Sequence, residues 1–152
     1  MYYYTEPMVE DDIRQVQEVE RESFPTPWSA NTYRRELRTP DGCRYIVARC
    51  SDQPPPPRSN AEPMPQRFVG RFAALVAGLF GPAAEPRAQP LVGYAGLWLA
   101  VDEAHVTTIA VAPQHRGRSV GELLLNGLID QALDLQADRI TLEVRVSNLP
   151  AQ

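Results

Sequence analysis

From His105 to Leu125 the chain reads HVTTIAVAPQHRGRSVGELLL, and few folds accommodate that order of residues. The run His105–Val111 is β-branched and apolar, which predicts a buried strand; Pro113 stops it, and after Gly121 leucines recur at helical spacing. Between strand and helix sits Arg116-Gly-Arg-Ser-Val-Gly121. A strand that feeds a helix through a loop of small residues leaves N–H groups unpaired at the helix's positive end, and such an end binds phosphates.

Two common phosphate-binding loops do not fit. A P-loop needs a lysine after its last glycine, and all 15 basic residues here are arginine. A dinucleotide fingerprint needs G-x-G-x-x-G, which Gly117-x-Ser119-x-Gly121 does not give, although Asp138 stands near the distance of its acidic residue. The spacing Arg116-x-x-Ser119-x-Gly121 resembles the [R/Q]-x-x-G-x-[G/A] loop of the GNAT acetyltransferases, with Ser119 in place of the first glycine. Other segments fall in register with it: Ser23-Phe-Pro-Thr-Pro-Trp-Ser29, Asp102-Glu-Ala-His-Val-Thr-Thr-Ile-Ala-Val111 and Thr141-Leu-Glu-Val-Arg-Val-Ser-Asn148. In this order they resemble the ribosomal-protein-alanine N-acetyltransferases within that superfamily.

The resemblance implies an α/β (α+β) fold with a mixed, mostly antiparallel central sheet flanked by helices. It implies acetyl-CoA as cosubstrate, the pantetheine arm pairing with the backbone of Ile109, Ala110 and Val111. The pyrophosphate would lie against Arg116, Gly117, Arg118, Ser119, Val120, Gly121 and Glu122. Asn148 would bond the arm, Phe24, Pro27 and Trp28 would line the acceptor-peptide groove, and Glu143 would be the general base. The family's general-acid tyrosine, a further helix and closing strands would follow residue 152, so the 152 residues are expected to hold CoA poorly and to transfer acetyl slowly or not at all.

The residues admit other readings at several of these positions. Ser119-Val-Gly-Glu122 fits a capping box, which would be an ordinary helix start. Glu143 and Arg145 share a strand face and could form a structural ion pair. Glu103 is an alternative base and His105 a third candidate. Trp28 fits a core anchor equally well, and Ile109–Val111 are plain core strand whatever else they bind.

The rest of the chain predicts one domain over 1–152. Tyr2–Pro7 reads as a first strand. Glu10–Phe24 reads as a helix with Ile13, Val16 and Val19 on one stripe and acids in its first turn. Ser29 is placed to cap a helix over Ala30–Arg38, and strands follow at Cys43–Arg49, Leu91–Leu99 and Arg139–Val146. Residues 51–90 carry nine of the 15 prolines and read as an insertion between two strands. Inside it, Phe68–Gly81 is apolar around most of its circumference: a packed helix, a surface for a partner or bilayer interface, or a poorly ordered flap.

Net charge is −4, so no footprint for nonspecific nucleic-acid binding is present. No signal peptide is visible, and no apolar run reaches the roughly 18 residues needed to span a bilayer. Cys43 and Cys50 lack both C-x-x-C spacing and a ligand cluster, so no metal site is expected, and they read as thiols of a cytoplasmic protein. The leading expectation is acetyl transfer to a protein N-terminus, that of a ribosomal protein with N-terminal alanine. A GNAT acting on a small-molecule amine, and a non-catalytic CoA-binding or interaction module, are the alternatives; the oligomeric state is not legible.

Overall fold

A computed structural model describes residues 1–39, 42–54 and 89–151. Five strands form one sheet in sequential order: β1 Tyr2–Pro7, β2 Cys43–Ser51, β3 Leu91–Ala100, β4 Glu103–Val111 and β5 Arg139–Leu142. The first four are antiparallel neighbours, and β5 runs parallel to β4. A parallel step needs a crossover, here the helix α3, Val120–Asp134. Its Val120, Leu124, Leu128 and Ala132 stripe packs on Ile46, Ala48, Val92, Leu97 and Val106. On the other face, α1 (Ile13–Ser23) and α2 (Ala30–Leu37) bury Val16, Val19 and Tyr33 against Tyr45, Val47, Tyr94 and Ala110. The mixed, mostly antiparallel sheet flanked by helices is the architecture expected.

Helix and strand ends shift by a residue or two at several places, and three boundaries differ in a way that bears on the site. Glu10–Asp12 is a 3-10 turn before α1, because the Asp12 carboxylate turns back to accept from the Val9 N–H (3.0 Å). β4 starts at Glu103, leaving Val101 and Asp102 as a two-residue turn with Ala100 paired to Glu103. β5 ends at Leu142 instead of Val146. The cause is a bulge: Gly96 pairs with Thr108 but Leu97 with Val106, so Thr107 has no β3 partner and β4 changes course there. The β4–β5 ladder covers only Glu103–Val106 against Arg139–Leu142. Beyond it the two segments part, and Glu143 follows the strand with no ladder to hold it.

Ser29 caps α2 as expected, Oγ accepting from the Thr32 N–H at 3.2 Å. Cys43 and Cys50 both lie on β2 and are free thiols. Arg49 and Leu91 are register partners, so the Pro-rich segment joins two adjacent strands; residues 55–88, with the Phe68–Gly81 stretch, lie outside the described residues. The near end of that connection is pinned. Arg49, buried, forms ion pairs with Glu6 and Asp12 and donates to the Gln89 carbonyl at 2.9 Å. Burial works against its charge, but the two carboxylates outweigh burial and raise its pKa.

Candidate active site

The phosphate-binding candidate is built where β4 ends. Ala112 N–H bonds the Val92 carbonyl, a 3-10 turn follows over Pro113–His115, and α3 begins at Val120. Arg116 ties the loop to its surroundings, Nε donating to the Val111 carbonyl (2.9 Å) and Nη2 to Ser23 Oγ (3.2 Å). From β1, Tyr3 meets His115 edge-on, with its hydroxyl 3.1 Å from Nδ1.

Ser119 occupies the N-cap in left-handed conformation, φ +58, and its side chain makes no cap bond. The capping box with Glu122 is therefore absent. The glycine of the resembled loop pattern would adopt this conformation without strain, and serine has kept the backbone shape at a cost. The first bond into the helix runs from Leu123 N–H to Ser119 O (2.9 Å), which leaves the amides of Val120, Gly121 and Glu122 without an intrahelical acceptor. A Cβ on Gly117 would meet nothing within 4 Å, and one on Gly121 only Val111 Cγ2 at 3.9 Å, so both glycines border open space. Exposed Arg116 and Arg118 flank these amides. The donor set fits a diphosphate. Leading to it, Thr108–Val111 pair with β3 on one side and have no β5 partner on the other, so Ile109, Ala110 and Val111 lie along an open strand edge.

On the face opposite α3, Gln17, Arg21, Pro27 and Trp28 line a groove of about 160 Å³. Trp28 is 36% exposed, its ring 5.7 Å from Tyr33, so it is a groove wall backed by the core. Phe24 packs inward against the α1 cluster. The groove rests on a carboxylate that sequence reasoning missed. Buried Glu20 accepts from the Tyr33 hydroxyl (2.7 Å), the Tyr94 hydroxyl (2.9 Å) and the Trp28 N–H (3.0 Å). Tyr94 in turn meets Thr108 Oγ1 at 3.1 Å, one residue past the bulge. Burial, with Glu20's negative charge added, raises both tyrosine hydroxyls far above their ordinary range. A signal was available, since Ile13, Val16 and Glu20 recur at helical spacing and place an acid on the apolar stripe.

Glu143 is exposed, immediately past β5. Asn148 closes a turn, its N–H donating to the Arg145 carbonyl at 2.8 Å. Glu103 and His105 lie on β4 beside Thr141. The structure thus gathers Glu103, His105 and Thr141 at the point where β4 and β5 part, with Arg116 to Glu122 at the far end of the open edge. Among the described residues no three His, Cys, Asp or Glu side chains are grouped to hold a metal, and no helix is long and apolar enough to cross a membrane.

Comparison with known proteins adds to this geometry. Among solved structures, the chain superposes on the Escherichia coli ribosomal-protein-S18-alanine N-acetyltransferase with a TM-score of 0.61 at 18% identity, covering 99% of this chain and 72% of that one. It superposes on a chain of the NatC complex bound to Gag peptide and CoA with a TM-score of 0.64 at 16% identity, covering 99% and 79%. A Bacillus subtilis (strain 168) protein named "Putative ribosomal protein bS18-alanine N-acetyltransferase" is 30% identical over 142 residues, 93% of this chain and 70% of the relative. The model of the Acetyltransferase (GNAT) family matches residues 51–152, and with that match and the Bacillus relative, the chain belongs to the GNAT acetyltransferases.

Proposed function

We propose that this chain transfers the acetyl group of acetyl-CoA to the α-amine of a protein N-terminus, with a ribosomal protein beginning in alanine as the acceptor. The observation that supports the reading is one continuous path. It starts at the open amides of Val120 to Glu122, follows the unpaired edge of β4 and ends at the bulge, on the same side of the sheet as the Trp28 groove. The names of the Bacillus and Escherichia proteins supply the acceptor class. Residues 1–152 belong to a single acetyltransferase domain, with 51–90 as an insertion, in the cytoplasm.

Acetyl-CoA supplies an activated acyl group on a thiolate leaving group; the chain supplies placement and proton transfer. Gly117 to Glu122, with Arg116 and Arg118, hold the diphosphate. Backbone groups of Ile109, Ala110 and Val111 take the arm as a neighbouring strand would, which fixes its depth, and Asn148 bonds it from the other side. Pro27 and Trp28, with Phe24 supporting them from the core, hold the acceptor chain. An amine attacks only when neutral, and Glu143 is the base that removes the ammonium proton, with Glu103 as the alternative.

Mass spectrometry of acetyl transfer to a panel of N-terminal peptides, polyamines and amino acids tests the reading. Transfer to alanine-initiated peptides is expected. Transfer to the small amines alone would move the substrate class, and tight CoA binding with no transfer would leave a binding module.

A further inference from the structure

Glu103, His105 and Thr141 form a cluster that the functions above leave mostly unused. All three sit on the sheet face opposite α3, since the alternate residues Ala104, Val106 and Ile140 pack beneath that helix. Thr141 Oγ1 donates to Glu103 Oε1 at 2.8 Å, and His105 Nδ1 lies 3.1 Å from the same hydroxyl oxygen. A hydroxyl has one proton, and it is spent on Glu103. Nδ1 must therefore carry the imidazole hydrogen and donate, which leaves the lone pair of neutral His105 on Nε2. Arg139 completes the surroundings, its Nε 3.7 Å from Glu103 and its Nη2 3.7 Å from Asp102.

The position of the cluster matters as much as its bonding. His105 pairs with Thr141 one step before the ladder's last pair, Val106 and Leu142, so the imidazole stands at the vertex where β4 and β5 separate. An arm anchored by its diphosphate at the start of α3, and lying along the open edge from Val111 to Thr107, brings its acyl end to that vertex.

We propose that His105 is a proton relay for acetyl transfer, with Thr141 and Glu103 as the residues that position it. The inference rests on the acetyltransferase reading. As the C–N bond forms, His105 Nε2 takes the proton that the attacking nitrogen gives up. As the C–S bond breaks, the same proton passes to the sulfur, and His105 ends the turnover neutral. The other proton, lost earlier from the ammonium, goes through Glu143 to solvent, and nothing is oxidised or reduced. Thr141 fixes the tautomer, and the Glu103 carboxylate behind it stabilises the transient imidazolium.

Imidazole-nitrogen NMR and steady-state kinetics on the full chain test this together. Wild-type His105 should be the Nδ1–H tautomer, retained in Thr141→Ser and lost in Thr141→Val. His105→Gln should lower kcat about 10²-fold, in the range of a lost acid–base group, with peptide KM and CoA Kd unchanged. Thr141→Val should lower kcat by about tenfold and Thr141→Ser should restore it. An Nε2–H tautomer in the wild type overturns the relay, as does unchanged kcat in His105→Gln beside normal wild-type transfer. No wild-type transfer to any amine overturns the acetyltransferase reading itself, and the relay with it.

Discussion

Beneath α3 the sheet's Ile46, Ala48, Val92, Leu97 and Val106 are buried with the helix's own Leu124 and Leu128, and no carboxylate or guanidinium lies in that cluster; on the α1 and α2 side lie buried Asp12, Glu20 and Arg49 with Tyr33, Tyr45 and Tyr94. Apolar burial is non-directional and worth about 25 cal/mol per Å², so the α3 face needs shape and little else. Buried charge is costly unless every partner is in place, and on the other face every partner is a specific one: Glu20 holds two tyrosine hydroxyls and the Trp28 amide, and Tyr45 donates to Glu36. The α3 face secures the fold. The expensive face carries the groove and, at its margin, the vertex of β4 and β5.

If that division holds, the largest effect without loss of stability should come from the open face. Glu143→Gln should lower turnover by roughly 10²–10⁴-fold with CoA affinity and melting temperature unchanged. Should Glu103→Gln show that loss instead, the base is Glu103.

Next come two substitutions that set one face against the other in denaturant titrations. Arg49→Met leaves Asp12 buried without its guanidinium and should cost about 3–5 kcal/mol. Leu128→Ala, under α3, should cost about 2–5 kcal/mol through the cavity it opens, with kcat retained in the folded fraction. A large kcat loss in Leu128→Ala would break the comparison.

Gly121→Asp should weaken CoA binding more than about tenfold in calorimetry, because it adds a negative charge at the open amides. Unchanged affinity would remove the diphosphate from this loop.

The buried tyrosines give the two faces different responses to alkali. Tyr33, Tyr45 and Tyr94 have hydroxyl pKa values raised by burial, so at high pH the unfolded chain loses protons that the folded chain keeps. Stability is then full below the ordinary tyrosine pKa of about 10 and falls above it, by up to about 1.4 kcal/mol per pH unit for each tyrosine. Tyr94→Phe should shallow that slope by one such contribution, while Leu128→Ala should leave it unaltered.

The smallest effect is a gain. Ser119→Gly removes the cost of a left-handed serine at the start of α3 and should stabilise by up to about 1 kcal/mol, offset in part by the greater freedom of the unfolded chain. Stability lost on this change would mean that the serine hydroxyl has a role the backbone conformation does not explain.

By itself the sequence determined the β4–loop–α3 unit, the amphipathic α1, the Ser29 cap and the family, because each is written in local periodicity or in a short motif with fixed spacing. For Trp28 it left a core anchor and a groove wall equally open. What it left undecided depends on strands distant in sequence. The capping box at Ser119 and Glu122 was locally plausible, and only the turn imposed by β4 and α3 put Ser119 at positive φ, where its hydroxyl cannot cap. The β-branched run Arg139–Val146 had strand propensity throughout, but a strand needs a partner, and the bulge at Thr107 withdrew β4 after Leu142. Glu20 lies 74 residues from Tyr94, and Glu103 lies 38 from Thr141. Only the folded sheet brings those groups within hydrogen-bonding distance, because a hydrogen bond depends on separation in space and sequence spacing constrains that separation only within one helix or strand.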